Sequence, residues 1–335
     1  MAKAKLNIHQ PASAGYFGSR SDSIDFIHSG CTLLDCVLGG GWALSRISNV
    51  IGDKAVGKTL LAIEACANFA RQYPKGRIQY EEAESAFDLG YAQALGLPAR
   101  NLELRQDVST VEEVFKHMVE FVGSLRGQPG FLIVDSLDAL SDEAELKREL
   151  TDATYGATKA KQLSQLFRRL VRDLDKARVH VMIISQVRDN IGATFGRKWT
   201  RSGGRALDFY SSQTLVLSHL KRLKRTVRGV ERADGVRIRA HCEKNKCATP
   251  FREASFDIRF GYGIDDAGAS LDWLEEVKRL DALGISKAEV PKLLKELEAQ
   301  HGEEGREARS TIAKTVTEVW YEIEREFLPK RRKYE

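Results

Sequence analysis

The run Ile47-Ser48-Asn49-Val50-Ile51, then Gly52-Asp53-Lys54-Ala55-Val56-Gly57-Lys58-Thr59 and Leu60, decides the fold class of this 335-residue chain. The octet fits G-x-x-x-x-G-K-[ST], a nucleotide phosphate-binding loop. It lies between an apolar strand-like run and an amphipathic helix-like run, Leu60 to Tyr73. Gly52 and Gly57 let the backbone curl so that successive N–H groups face phosphate oxygens. The helix that follows presents its positive N-terminal end to the same anion. Lys58 is placed to reach the β- and γ-phosphates and the Thr59 hydroxyl to hold Mg2+. The expected nucleotide-binding set is therefore Gly52, Asp53, Lys54, Ala55, Val56, Gly57, Lys58, Thr59 and Leu60.

Outward from the loop, strand-like runs at Arg77–Tyr80, Gly130–Val134, His180–Ser185, Thr214–Ser218, Val236–Ala240 and Ser255–Arg259 alternate at first with helix-like runs. Those helices are Leu60–Tyr73, Ser85–Ala94, Val111–Leu125 and Thr158–Lys176. The order is βαβ-like early and turns to hairpins later, which predicts an α/β core: a largely parallel sheet extended by antiparallel strands. Residues 1–22 read as an extended arm. From about residue 269 the pattern is helical (Leu271–Leu280, Lys287–Gln300, Ala308–Phe327), broken at Gly284 and at a Gly302–Gly305 turn, with Ser286 and Glu289 spaced as a capping box. Three parts are expected: an arm over 1–22, a core over 23–268 and a helical lobe over 269–335.

Composition narrows the class. The chain is 42% hydrophobic and 30% charged, with no apolar run long enough to span a membrane and no signal-peptide core, so a cytoplasmic protein without a membrane partner is expected. Five cysteines, an odd number, argue against a disulfide framework, and their spacing forms no tight zinc knuckle. Net charge is only +5, but two basic clusters stand out. One holds Lys221, Arg222, Lys224, Arg225, Arg228 and Arg232; the other holds Arg197, Lys198, Arg201 and Arg205. Either could track a phosphodiester backbone.

Phe131-Leu132-Ile133-Val134-Asp135 is an apolar strand ending in an acid, as expected of the aspartate that shares Mg2+ with the loop threonine. Hydrolysis also needs a group that orients and deprotonates water. Glu81, Glu82 and Glu84 crowd the end of the Arg77–Tyr80 strand, and spacing does not choose among them.

The run Ala83-Glu84-Ser85-Ala86-Phe87-Asp88, continuing through Tyr91-Ala92 and Leu95-Gly96, resembles the bacterial RecA recombinase family. The resemblance implies that Glu84 activates water and that Asp88 and Tyr91 contact adenine. Ile183-Ile184-Ser185-Gln186-Val187-Arg188 resembles the family's strand ending in a glutamine, which makes Gln186 the γ-phosphate sensor. Ile191 to Gly196, Ser202 to Leu207 and Phe209-Tyr210 are similar to the family's second DNA-binding loop. That similarity implies DNA contacts by Arg188, Ile191, Phe195, Arg197, Lys198, Arg201, Gly203, Gly204 and Arg205. A glycine-flanked loop with basic groups and an aromatic independently suits single-stranded DNA. A first loop would fall near 145–155, with Arg148 and Tyr155 as candidates. Lys244-Asn245-Lys246, followed by Pro250-Phe251, resembles a segment whose lysines reach a neighbour's γ-phosphate, so Lys244 and Lys246 join the catalytic set.

The resemblance covers about residues 23–268 and departs in three places. Residues 1–22 show no counterpart of the family's long N-terminal docking helix; Tyr16-Phe17 is a candidate anchor instead. Asp208 stands where the family has lysine. The C-terminal run Lys330-Arg331-Arg332-Lys333 is basic where the family's tail is acidic. The implied function is a DNA-dependent ATPase using ATP and Mg2+, polymerising on single-stranded DNA, pairing it with double-stranded DNA and exchanging strands. The alternative is a DNA motor or repair regulator of the same fold, a ring helicase or a mediator, without strand exchange.

Overall fold

The computed structural model describes residues 24–84, 87–141, 157–189, 199–200, 204–300 and 302–329. In chain order these form β1 (Phe26–Ile27), α1 (Thr32–Leu38), β2 (Trp42–Ala43), β3 (Ile47–Gly52), α2 (Lys58–Gln72), β4 (Arg77–Glu82) and α3 (Leu89–Ala94). There follow β5 (Leu102–Arg105), α4 (Val111–Ser124), β6 (Gly130–Asp135), α5 (Ala157–Ala177), β7 (Val179–Gln186), β8 (Arg188–Asp189), β9 (Trp199–Thr200) and α6 (Gly204–Tyr210). The remainder is β10 (Gln213–Val227), β11 (Val230–Asn245), β12 (Glu253–Arg259), β13 (Gly263–Ile264), α7 (Asp266–Glu276), α8 (Val290–Ala299) and α9 (Gly302–Glu326).

The fold is α/β. Among the described residues the main sheet has nine strands in the order β13-β12-β11-β10-β3-β7-β6-β4-β5. Pairing is parallel from β5 through β10 and antiparallel from β10 through β13. The central strands read as continuous apolar runs because both faces are covered. On one face Phe69 of α2 packs edge-on against Phe131 of β6 with ring centroids 5.7 Å apart. On the other, Phe121 of α4 and Phe167 of α5 belong to a second cluster with Leu132 and Val181. All five cysteines are buried free thiols. Among the described residues no helix is long and apolar enough to cross a membrane.

Several elements differ from expectation. The helix expected from Ser85 begins only at Leu89, because the Asp88 side chain accepts the Tyr91 amide at 2.9 Å and caps it. Gly302 supplies its turn through φ +76°, but α9 starts there at once, so the expected break is a helix start. Lys287–Gln300 divides into a short 3-10 turn and α8, where Pro291 sits in the first turn. The Glu289 carboxylate reaches back to the Ser286 amide at 2.8 Å.

The largest difference is the β10–β11 hairpin, expected as two five-residue strands. β10 pairs with β3 only over Gln213–Leu217, and β11 pairs with β12 only over Gly235–His241. Past Leu217, β10 pairs with β11 alone, and beyond the Leu223↔Gly235 pair the two strands form a ribbon outside the sheet, closed by Arg228-Gly229 with φ +52° and +78°. Positive φ at both central residues is the geometry that matches strand twist in a two-residue turn. The ribbon's charges conceal the strand pattern, since with neither face covered it has no apolar face to alternate.

Candidate active site

The phosphate loop runs from the carboxyl end of β3 into α2, whose N-terminal flank Gly57 has φ +84°. A Cβ on Gly57 would lie 2.4 Å from Ile258 Cδ1, and one on Gly52 would lie 3.1 Å from the Leu217 carbonyl oxygen. Gly57 needs glycine for its left-handed conformation, whereas Gly52 is crowded by the Val56 side chain and the Leu217 backbone. The Lys58 ammonium donates to the Gly52 and Asp53 carbonyls at 2.9 and 2.7 Å. Burial pulls its pKa below the ordinary lysine value, opposed most by the charge of Asp135.

A cleft of about 280 Å³ is lined by Lys54, Ala55, Val56, Gly57, Lys58, Thr59, Glu84, Asp135 and Gln186. Of the expected nucleotide set, Gly52 and Asp53 lie at the base of the loop, where their carbonyls accept from Lys58, and Leu60 is buried in the core. Parallel register explains how such distant residues converge: Gly52 pairs with Gln186, and Glu82 with Asp135, at one edge of the sheet. The Thr59 hydroxyl donates to Asp135 Oδ2 at 2.7 Å. Burial raises the Asp135 pKa, while donors from Tyr80 and Thr59 work against that rise. Glu84 Oε1 accepts from the Gln186 side-chain amide at 2.6 Å and from the Ser136 hydroxyl. The Gln186 backbone amide donates to Asp138 Oδ2 at 2.7 Å.

This arrangement fits a nucleotide triphosphate with Mg2+. The loop is a glycine cradle that a Cβ would fill, with a cation at its base. Thr59 and Asp135 form a hydroxyl–carboxylate pair of the hard oxygen type that Mg2+ prefers. Glu81 and Glu82 are turned to other work. Glu81 is buried against His117 (3.0 Å) and Gln79 (2.5 Å), and Glu82 accepts the Glu84 amide at 3.0 Å.

Asp88 and Tyr91 lie on α3 beside this edge. The tyrosine is half-buried, and burial and then Glu64 raise its phenol. Asp88 is the N-cap of α3, its side chain accepting the Tyr91 amide. Sequence reasoning missed Tyr80, Ser136 and Asp138, which no motif marks. It also missed Phe260, 60% exposed and two residues beyond the Ile258 that abuts Gly57. An aromatic just past the Ser255–Arg259 strand-like run was the available signal.

Lys244 and Lys246 are not near this cleft. β11 runs antiparallel to β10, so Asn245 pairs with Gln213 while Leu217 pairs with Gly52. The lysines thus sit at the opposite sheet edge, roughly 13 Å down the strand at about 3.3 Å per residue. Their ammonium groups lie on the C-terminal end of α6. Lys244 donates to the carbonyl of Asp208, and both donate to that of Phe209 at 3.2 Å. Phe209 is 70% exposed. Between them Asn245 is buried, accepting the Cys247 and Ala248 amides at 2.8 and 3.0 Å and donating to the Leu38 carbonyl at 2.9 Å. Strand alternation with Asn245 inward turns both lysines outward.

Directly after Gln186, β8 and β9 pair over two residues, Arg188↔Thr200 and Asp189↔Trp199, and close the base of the expected DNA loop. Gly204 and Arg205 begin α6. Tyr16, Phe17, Arg148, Tyr155, Ile191, Phe195, Arg197, Lys198, Arg201 and Gly203 lie outside the described residues.

The family described as RecA N-terminal domain matches residues 14–265. The chain is 36% identical over 253 residues to Protein RecA of Synechococcus sp. (strain WH7803), covering 76% of this chain and 64% of that relative. It is 36% identical over 253 residues to Protein RecA of Prochlorococcus marinus (strain AS9601), covering 76% of this chain and 67% of that relative. With phosphate loop, strand-end aspartate and sheet order falling inside the matched region, the chain belongs to the RecA family.

Proposed function

We propose that the chain is an ATP-dependent recombinase whose subunits polymerise on single-stranded DNA, each nucleotide being held by one subunit and completed by the next. The observation that carries this reading is the placement of Lys244 and Lys246 outward at the sheet edge opposite their own phosphate loop. There they serve a neighbour's γ-phosphate, not their own. A cation supplied in trans is worth about 10³–10⁵ in rate in related phosphoryl transfers.

Within one subunit, Lys58 and the loop amides hold the phosphates, and Tyr91 and the exposed Phe260 are the aromatic side chains available to the base. Bound Mg2+, held through Thr59 and Asp135, supplies neutralisation of the charge building on the phosphate oxygens. Glu84 is the general base. In the structure its carboxylate is engaged by Ser136 and Gln186. When a γ-phosphate draws the Gln186 amide away, Glu84 is freed to accept a proton from the attacking water. Because β8 starts two residues after Gln186, the same motion reaches the base of the DNA loop. DNA contacts fall to Arg188, Ile191, Phe195, Arg197, Lys198, Arg201, Gly203, Gly204 and Arg205. The exposed basic ribbon, with Lys221, Arg222, Lys224, Arg225 and Arg228, adds a phosphate-tracking surface, so binding should weaken steeply with salt.

Electron microscopy with single-stranded DNA and a non-hydrolysable ATP analogue tests the assembly. Helical filaments are expected; closed rings would favour a motor instead.

A further inference from the structure

Tyr80 belongs to no nucleotide-site motif, yet it reaches the centre of this site from below. Its side chain is fully buried. Its hydroxyl donates to Asp135 Oδ2 at 2.7 Å, the same oxygen that accepts the Thr59 hydroxyl at 2.7 Å. The approach is built into the sheet. Glu82 pairs with Asp135 across β4 and β6, so Tyr80, two residues earlier on the same face, is the aspartate's diagonal neighbour. Its ring is fixed against Phe87 with centroids 4.7 Å apart, and Phe87 precedes the α3 cap. The phenol therefore has a single orientation and its hydroxyl points at one carboxylate oxygen.

We infer that Tyr80 is a positioning residue for the divalent cation: it pins Oδ2 of Asp135 and so sets how tightly the loaded site holds Mg2+. The inference rests on reading Thr59 and Asp135 as the cation site. Partners that orient metal-shell ligands are worth about 10- to 100-fold in metal affinity. A carboxylate held by Thr59 alone can rotate, whereas two donors on one oxygen leave its remaining lone pairs in one direction. Tyr80→Phe removes this bond and keeps the ring and its contact with Phe87, so the fold is retained.

The test is binding of a fluorescent ADP analogue titrated with Mg2+, in wild type, Tyr80→Phe and Asp135→Asn, with thermal melts run without Mg2+. The expected result is a Mg2+ midpoint raised about 10-fold in Tyr80→Phe, with nucleotide affinity in the absence of Mg2+ unchanged. A merely structural role would lower affinity at every Mg2+ concentration and leave the midpoint in place, which overturns the inference. If Asp135→Asn moves the midpoint and Tyr80→Phe does not, the Tyr80 role fails alone. If neither moves it, the cation site itself is misassigned and the inference falls with it.

Discussion

Gln186 is the residue on which the proposed coupling depends. Its side chain holds Glu84 at 2.6 Å, its backbone is held by Asp138 at 2.7 Å, and it pairs in register with Gly52 of the phosphate loop. Gln186→Ala should therefore leave nucleotide affinity within about twofold while abolishing DNA stimulation of hydrolysis, because loss of this amide removes no phosphate cradle. Steady-state ATPase with and without single-stranded DNA checks this; retained stimulation would mean that the coupling runs elsewhere. Much of this site was legible in the sequence. Lys58, Thr59 and Asp135 follow from strand–loop–helix and strand-end patterns alone, since those residues must fall at the carboxyl edge of a parallel sheet. The choice of Glu84 over Glu81 and Glu82 was not legible from spacing. Strand alternation and partners separate them in space: Glu81 faces His117 inside the core, while Glu84 lies past the strand end in the cleft. Tyr80 and Ser136 were invisible because each acts through a cross-strand neighbour rather than through a local motif.

At the scale of elements, the turn after β11 shows how one buried amide serves two exposed cations. Asn245 makes three hydrogen bonds, to Cys247, Ala248 and Leu38, at 4% exposure. Asn245→Ala should lower stability by about 1–3 kcal/mol through unsatisfied backbone groups. It should also reduce DNA-stimulated turnover more than nucleotide binding, because Lys244 and Lys246 lose their fixed direction. Chemical denaturation and a nucleotide-binding titration separate the two effects. The ribbon of β10 and β11 was the least legible element. Its core-paired ends, Gln213–Leu217 and Gly235–His241, carry strand periodicity, whereas the projecting part is held by cross-strand pairs such as Lys224 with Glu231 at 2.7 Å. A period argument detects a covered face, and this ribbon has none.

Across the whole molecule, half-buried carboxylates tie early core elements to the segment where the helical lobe begins. Glu64 of α2 accepts the Ile264 amide at 2.7 Å, and Asp266 of α7 accepts the Thr32 amide at 2.6 Å and its hydroxyl at 2.9 Å. Burial pushes Glu64 up to about 7 and Asp266 to about 6. Acids raised in the folded state bind protons there that the unfolded chain has already released. Their stabilisation is full below the ordinary carboxylate range and is lost as pH climbs through about 6 to 7. Melting temperature should therefore fall between about pH 5 and about pH 8, and Glu64→Gln should flatten that slope; an unchanged slope would remove Glu64 from the linkage.

In the proposed function, the same separation of edges that keeps Lys244 and Lys246 from their own loop makes the catalytic unit a junction between subunits. Mixing two inactive proteins tests this most directly. Lys246→Ala subunits keep the Glu84 half, and Glu84→Gln subunits keep the lysine half. Random head-to-tail assembly leaves about a quarter of junctions with both halves intact. DNA-dependent ATPase of the one-to-one mixture should recover to about that fraction of wild type. A mixture as inactive as its separate components, although both bind single-stranded DNA, would contradict a site shared between neighbours.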